Sequence, residues 1–155
     1  MADYETDSVT RIETNLDDVS PQVLGAVMQK LFDAGALDVW FTPIQMKKNR
    51  PGAMLSALCE DTMTTALADI LFTETTAFGL RVEKVQRLKL ARRFETVRTA
   101  FGEVTVKLGL KGGRVVQWAP EFESCRAAAE KAGVPIRDVH EAALHAARSA
   151  AGQSG

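Results

Sequence analysis

The order of strand and helix signals along the first 87 residues limits the fold more than any other feature. Stretches that alternate or are apolar throughout, as strands do, and two apolar stripes with helical spacing follow one another as strand, helix, strand, strand, helix, strand. This is the order of the ferredoxin-like fold, in which both helices pack on one face of an antiparallel sheet. We therefore predict an α+β chain with a ferredoxin-like (β-α-β-β-α-β) subdomain over residues 9–87. The second face of its sheet is expected to be uncovered and to meet a partner subunit or another subdomain.

Breakers and polar residues place the strands within this order. Residues 9–14 alternate as a short strand, whereas the residues before them, through Ser8, are polar and acidic and are expected to be frayed. Pro43 cannot donate a backbone hydrogen bond, so the strand over residues 37–46 is expected at an edge of the sheet or kinked. Residues 53–59 are apolar on both faces, which indicates an inner strand.

The rest of the chain changes character and predicts a second subdomain over residues 88–150. Residues 94–99 and 103–110 alternate on either side of a glycine turn, which is typical of a β-hairpin. Two helices follow, each opened by a proline at its start, Pro120 and Pro135. The second subdomain is therefore predicted as a small β-hairpin with two helices.

Composition excludes several classes of function. The formal net charge is -1 and the pI is near 6.1, which argues against a nucleic-acid binder with a strongly basic face. No apolar run is long enough for a membrane span. Cys59 and Cys125 lie far apart in a chain without a secretory signal, so we expect reduced, buried thiols and a cytoplasmic protein. His140 and His145 are five residues apart on a predicted helix, a spacing that does not align them for one metal.

A basic loop between two predicted strands is the first candidate binding element. It contains Lys47, Lys48, Asn49 and Arg50 and closes with Pro51-Gly52. Arg50 can offer a planar fork to a phosphate, the lysines add mobile charges, and Gly52 permits a close backbone approach. The alternative is a solvated hairpin tip whose cations only keep the protein soluble.

An acidic turn between the first strand and the first helix is the second candidate. Asn15, Asp17 and Asp18 are placed there, and carboxylates at such a turn can hold a hard divalent cation or simply cap the helix. Together with the basic loop they would suit a metal-bound polyphosphate. The chain has neither a Walker A loop nor a GxGxxG motif, so the residues alone indicate a nucleotide-phosphate site of low specificity outside the familiar nucleotide folds.

Four separated motifs resemble the C-terminal region of the LarC family, the nickel insertion proteins that make the nickel-pincer nucleotide cofactor. They occur in the family's order and span residues from about 10 to 145. The motifs are Glu13-Thr14-Asn15-Leu16-Asp17-Asp18 followed by Ser20-Pro21, Lys47-Lys48-Asn49-Arg50-Pro51-Gly52, Glu74-Thr75-Thr76 with Gly79-Leu80-Arg81, and Pro120-Glu121-Phe122-Glu123-Ser124-Cys125.

This resemblance implies a CTP-dependent nickel insertase, or cyclometallase, which is a lyase of the chelatase type. Such a protein places its substrate Ni²⁺ into pyridinium-3,5-bisthiocarboxylic acid mononucleotide, forming nickel-sulfur and nickel-carbon bonds and consuming CTP. The C-terminal region is implied to bind CTP with Mg²⁺ or Mn²⁺, and a homo-oligomer is expected.

The resemblance also implies roles for particular residues, although it assigns no catalytic residue. The metal candidates are Asp17, Asp18 and Glu74. The nucleotide-binding candidates are Lys47, Lys48, Asn49, Arg50, Gly52, Thr75, Thr76 and Arg81.

Two departures from the family pattern qualify this picture. A full-length member is much longer, so the chain is expected to be a C-terminal portion or a separate subunit that needs an N-terminal partner for nickel handling. The last motif usually has Tyr and Asp where this chain has Phe122 and Ser124. The alternative function is a non-catalytic ferredoxin-like module for ligand sensing or oligomerisation.

Overall fold

A computed structural model describes residues 3–152 of the chain, which fall into two compact units. The first unit comprises residues 6–87, and the second joins residues 3–5 to residues 88–152. No helix within residues 3–152 is long and apolar enough to cross a membrane.

The first unit has the predicted ferredoxin-like order. Its elements are β1 (Glu5–Leu16), α1 (Pro21–Asp33), β2 (Asp38–Met46), β3 (Arg50–Cys59), α2 (Thr64–Glu74) and β4 (Arg81–Lys89). The strands form one sheet in the order β2-β3-β1-β4, and β3 runs antiparallel to both of its neighbours. The α+β fold class is therefore confirmed, with β2 at an edge and β3 inside the sheet as expected.

Local sequence signals fix both ends of α1. The Ser20 hydroxyl accepts a hydrogen bond from the Val23 N–H at 3.3 Å, and Pro21 supplies the first helical position, where its missing N–H costs nothing. At the other end Gly35 adopts a φ of 99°, and the Ala36 N–H reaches back to the Leu31 carbonyl at 2.9 Å. Such a left-handed residue satisfies the last helical carbonyls and stops the helix.

The core of the first unit lies between the sheet and its two helices. Alternate residues of the inner strands point to this face, so Ile12 of β1 and Leu55 of β3 are fully buried. Val27, Leu31, Leu67 and Leu71 of the helices complete the same cluster. Burying each large aliphatic side chain is worth roughly 1.5–3 kcal/mol, which makes this layer the main source of stability of the unit.

The expectation of a frayed N-terminus is wrong for residues 5–8, because β1 begins at Glu5. β1 extends past the part that pairs with β3 and lies beside β4 at the other edge. Arg87 of β4 donates two hydrogen bonds to the Asp7 carboxylate, at 2.9 and 2.7 Å. This bidentate pair joins residues 80 positions apart and gives the polar start of β1 a fixed partner.

The second unit is a three-stranded antiparallel sheet with two helices on one face. Its elements are β5 (Ala91–Thr99), β6 (Gly102–Lys111), β7 (Arg114–Pro120), α3 (Phe122–Ala132) and α4 (Ile136–Gly152), and the sheet order is β5-β6-β7. The predicted hairpin is β5-β6, and β7 extends it by one strand. The core contains Val97, Val104, Val106, Leu108, Cys125, Ala129, Val139 and Ala143.

Both cysteines are buried and unpaired, as expected. Burial raises the pKa of the Cys59 thiol and of the Cys125 thiol, because a thiolate loses its hydration inside the core. Cys125 belongs to the hydrophobic core of the second unit, which gives it a packing role.

Candidate functional site

Three turns of the first unit lie at the same end of its sheet, which we call the site end. β1 finishes at Leu16 there, and the antiparallel β3 begins there at Arg50. The three turns are the acidic turn (residues 15–18), the basic loop (residues 47–50) and the α2–β4 turn (residues 74–80). The topology thus gathers segments that are widely separated in the sequence.

Side-chain contacts join the three turns. Arg50 Nη1 lies 3.4 Å from Asp17 Oδ2, and the Thr76 hydroxyl donates a hydrogen bond to the Asp18 carboxylate. Arg81, the first residue of β4, donates from Nη2 to Asn15 Oδ1 at 2.8 Å. The acidic turn is therefore contacted by the basic loop on one side and by the α2–β4 turn and β4 on the other.

The basic loop is a tight turn with unusual backbone geometry. Lys48 and Asn49 both have a φ of 58°, in the left-handed region that costs energy for residues other than glycine. The Asn49 side chain accepts a hydrogen bond from Gln45 Nε2 at 3.0 Å, which helps to hold this conformation. The side chains of Lys47 and Lys48 are exposed and have no carboxylate partner among the described residues, so the loop presents uncompensated positive charge.

Gly52 makes a close contact inside the protein. A Cβ at this position would lie 2.7 Å from the Leu16 carbonyl oxygen and 2.7 Å from the Met46 sulfur. Only glycine therefore allows the start of β3 to pack against the end of β1. This packing sets Arg50 next to the acidic turn.

The α2–β4 turn is organised by Thr75. Its hydroxyl donates to the Leu71 carbonyl at 2.6 Å and accepts from the Ala77 N–H at 3.1 Å, so it caps the end of α2. The Gly79 carbonyl accepts a hydrogen bond from the Thr14 hydroxyl of β1 at 3.1 Å. The Thr75 hydroxyl is thus used within its own turn, and Thr76 supplies the hydroxyl that contacts the acidic turn.

A pocket of about 370 Å³ opens beside the acidic turn. It lies between the start of α1 and the end of α2, and its walls include Asp18, Ser20 and Glu74. The Glu74 carboxylate also accepts from Lys30 Nζ at 2.6 Å, which ties it to α1. Within residues 3–152 no three His, Cys, Asp or Glu side chains lie close enough together to hold a metal ion. A hard cation here would need ligands from water or a bound phosphate, as Mg²⁺ commonly does.

A polar network that the sequence analysis did not predict lies on the sheet face opposite the helices, centred on Glu13. This half-buried carboxylate lies 3.5 Å from Arg81 Nε and 3.4 Å from Arg11 Nε, and the buried Ser56 hydroxyl donates to it at 3.4 Å. A hydrogen bond to Glu83 raises the pKa of Arg11. The period of two in β1 puts Arg11 and Glu13 on the face of Asn15, so the sequence indicates that these three polar side chains share a face but does not identify their partners on other strands.

These features define an α+β protein whose ferredoxin-like unit carries acidic and basic groups side by side at one end of its sheet. The family model described as "Nickel insertion protein" matches residues 1–140, and the chain belongs to this family.

Relatives and a solved structure agree with this membership. A relative from Myxococcus xanthus is 47% identical over 135 residues, 87% of this chain and 35% of the relative. The pyridinium-3,5-bisthiocarboxylic acid mononucleotide nickel insertion protein of Thermotoga sp. (strain RQ2) is 43% identical over 131 residues, 84% of this chain and 33% of that protein. The chain thus spans about a third of the length of these curated relatives.

The structural match covers nearly the whole chain. LarC2, described as the C-terminal domain of a cyclometallase involved in the synthesis of the NPN cofactor of lactate racemase and solved in its apo form, superposes with a TM-score of 0.87. It is 40% identical, and the match covers 93% of this chain and 99% of that one. The resemblance to the C-terminal region of the LarC family is therefore confirmed.

Proposed function

We propose that the site end of the first unit binds CTP together with Mg²⁺ or Mn²⁺, and that this binding serves the insertion of nickel into a pyridinium mononucleotide. The observation that carries the proposal is the convergence of the acidic turn and the basic loop at one end of a single sheet. Family membership supplies the reaction, nickel insertion, for which such a site would be used.

The chemistry of the two turns suits a metal-bound triphosphate. Lys47, Lys48 and Arg50 present positive charge on an exposed loop, where phosphate oxygens can accept charge-assisted hydrogen bonds. Asp17 and Asp18 lie just before the N-terminus of α1 and can supply the one or two carboxylates that Mg²⁺ takes from a protein. Glu74 borders the same pocket as Asp18 and is the third candidate on the metal side.

The remaining candidates have supporting roles in this proposal. Arg81 contacts two residues at the end of β1, the Asn15 amide and the Glu13 carboxylate, and so orients the acidic turn. Asn49 and Gly52 maintain the shape of the basic loop, through the bond to Gln45 and the close contact with Leu16. Thr75 and Thr76 form the pocket wall opposite the start of α1.

The activity of the whole protein is part of the proposal. We infer that the chain acts within a cytoplasmic, homo-oligomeric nickel insertase of the lyase class, in which Ni²⁺ and pyridinium-3,5-bisthiocarboxylic acid mononucleotide are the substrates. The nickel-handling groups would then come from the part of the relatives that this chain does not match, since it covers only about a third of their length.

Calorimetric titration tests the nucleotide site. CTP, ATP and GTP would each be titrated into the chain with and without Mn²⁺, and we expect saturable binding that requires Mn²⁺ and favours CTP. Arg50→Ala should weaken it about tenfold or more, because a charge-assisted phosphate contact is worth about 1.5–3 kcal/mol.

Lys84→Ala is the matched control for Arg50→Ala. Lys84 is an exposed cation that pairs with Asp61, just beyond the opposite end of β3. Its loss should leave CTP binding unchanged. Equal affinities of the wild type and Arg50→Ala would mean that the basic loop does not hold the phosphates. Oligomerisation that is independent of nucleotide, with no binding of CTP, ATP or GTP, would favour the alternative of a non-catalytic oligomerisation module.

A further inference from the structure

The second unit has a groove on the face of its sheet that the helices leave open. Val106 and Leu108 of β6 are buried against the helices, so the alternate residues Lys107 and Gly109 point to the opposite face. A groove of about 310 Å³ lies on this opposite side, between the start of β5 and the end of β7. Nothing in the proposed nucleotide site uses it.

Positive charge surrounds an apolar floor in this groove. Leu90, Gly109 and Ala119 supply the floor, and the cations that line the groove are Lys89, Arg92 and Lys107. No Asp or Glu lines it among the described residues. Glu121 approaches Lys107 at 3.4 Å, a long ion pair between two partly exposed groups that an anionic ligand can displace at little cost.

Gly109 shapes the groove. A Cβ there would lie 2.8 Å from Leu90 Cδ1 and 3.1 Å from the Gln117 Cβ, and the strand register shifts between Gly109 and Leu110. The bare backbone at this position allows Leu90 to lie directly over the strand. The floor is consequently a preformed feature of the fold.

An exposed aromatic ring lies next to the cations. Phe94 is directly opposite Lys107 in the β5–β6 pairing and therefore shares its face of the sheet, with 59% of its surface exposed. An exposed phenyl ring beside an apolar floor offers a stacking surface for a planar ring. The cations beside it offer partners for a phosphate.

We propose that this groove binds a planar aromatic mononucleotide, with the phosphate at Arg92 and Lys107 and the ring on the apolar floor beside Phe94. The particular class of ring, a pyridinium, rests on the proposed function, because the name of the Thermotoga relative specifies a pyridinium mononucleotide. The two units would then hold different ligands, the nucleoside triphosphate in the first and the aromatic monophosphate in the second.

Nicotinic acid mononucleotide, a pyridinium mononucleotide with one carboxylate, is the probe for this site. We expect calorimetry or amide NMR shifts to show saturable binding to the full chain, and Arg92→Ala and Lys107→Ala each to weaken it about tenfold. Arg98→Ala is the matched control, because Arg98 lies on the same strand and face but is 89% exposed and outside the groove. It should change the affinity less than twofold.

Two comparisons complete the test. Ribose 5-phosphate should bind at least tenfold more weakly than the probe, and equal binding would overturn the role of the ring. Arg50→Ala should leave probe binding intact. If this variant no longer bound the probe, the probe would lie at the site end of the first unit, and the proposal would be overturned. If the chain binds CTP with Mn²⁺ but does not bind the probe, the proposal for the groove is overturned and the proposed function stands. If a single-stranded oligonucleotide binds more tightly than the probe, this face of the sheet binds nucleic acid instead.

Discussion

At the scale of single residues, the carboxylates of the site end differ in how they are held. Asp18 is bonded by the Thr76 hydroxyl on an exposed turn, whereas Glu74 has a 2.6 Å ion pair with Lys30. A carboxylate that already has a cation is a poorer ligand for a second cation. The proposed metal therefore depends more on Asp18 than on Glu74, and Asp17 is intermediate because Arg50 Nη1 lies 3.4 Å from its carboxylate.

Paired substitutions test this difference. Asp18→Asn should remove most of the dependence of CTP binding on Mn²⁺, and Glu74→Gln should leave it within about twofold. Glu74→Gln should cost only about 0.2–1 kcal/mol of stability, as for other exposed ion pairs. Titrations at several Mn²⁺ concentrations would measure both effects, and a larger loss from Glu74→Gln would make Glu74 the principal ligand.

Asp61 makes the stability of the first unit depend on pH. Hydrogen bonds from Lys84 and Thr10 hold the pKa of the Asp61 carboxyl below its ordinary value. A lowered folded-state pKa adds stability above the unfolded-state value, and that stability is lost as the pH falls through the folded-state value. Asp61→Asn should therefore lower the urea midpoint at pH 7 more than at pH 3. Asp69→Asn, at an exposed position on α2, serves as the control for removal of a surface carboxylate.

Residue chemistry could be read from the sequence only where it is local. The cations of the basic loop and the acids of the turn are contiguous in the sequence, and so their type and spacing were evident. The partners of Glu74 and Asp7 lie 44 and 80 positions away, on Lys30 and Arg87. No local pattern specifies such pairs, because the chain topology alone brings them together.

At the scale of elements, the β2-β3 hairpin places the basic loop at the site end of the sheet. Its turn holds two left-handed residues, and its second strand starts in close contact with Leu16 through Gly52. Pro43 and the apolar run 53–59 were sufficient to predict which strand is at the edge and which is inside. The start of α1 was likewise predictable from Ser20 and Pro21, whereas the expected helix opener Pro120 is the last residue of β7 and Glu121 is the N-cap of α3. The convergence of the turns was not, since it follows from the strand directions.

Gly52→Ala tests the close packing of this hairpin against the end of β1. The new methyl group would meet a backbone carbonyl, which cannot move aside as a flexible side chain can, so we expect a loss of about 1–3 kcal/mol and weaker CTP binding. Gly25→Ala is the control, because nothing lies within 4 Å of its Cβ position in α1. It should stabilise the helix by about 0.5–1 kcal/mol. Urea denaturation would measure both variants.

At the scale of the whole molecule, residues 3–152 form two hydrophobic cores, and the chain matches about a third of the length of its longer relatives. We expect it to bind CTP with Mn²⁺ yet to form no nickel–pyridinium product when supplied with Ni²⁺ and the mononucleotide. Addition of the remaining portion of a full-length relative should restore product formation. Optical spectroscopy of the nickel product and chromatography of the spent CTP would follow the reaction, and turnover by the chain alone would contradict this assignment.

The position of β1 links the interior of the first unit to its surface chemistry. The same strand that sends Ile12 and Leu16 into the core continues directly into Asp17 and Asp18. A slip by one residue would move the acidic turn by about 3.3 Å and turn every side chain of β1 to the other face. The packing of the hydrophobic core therefore fixes the register of β1, and through it the positions at which the charged groups of the acidic turn and the basic loop meet.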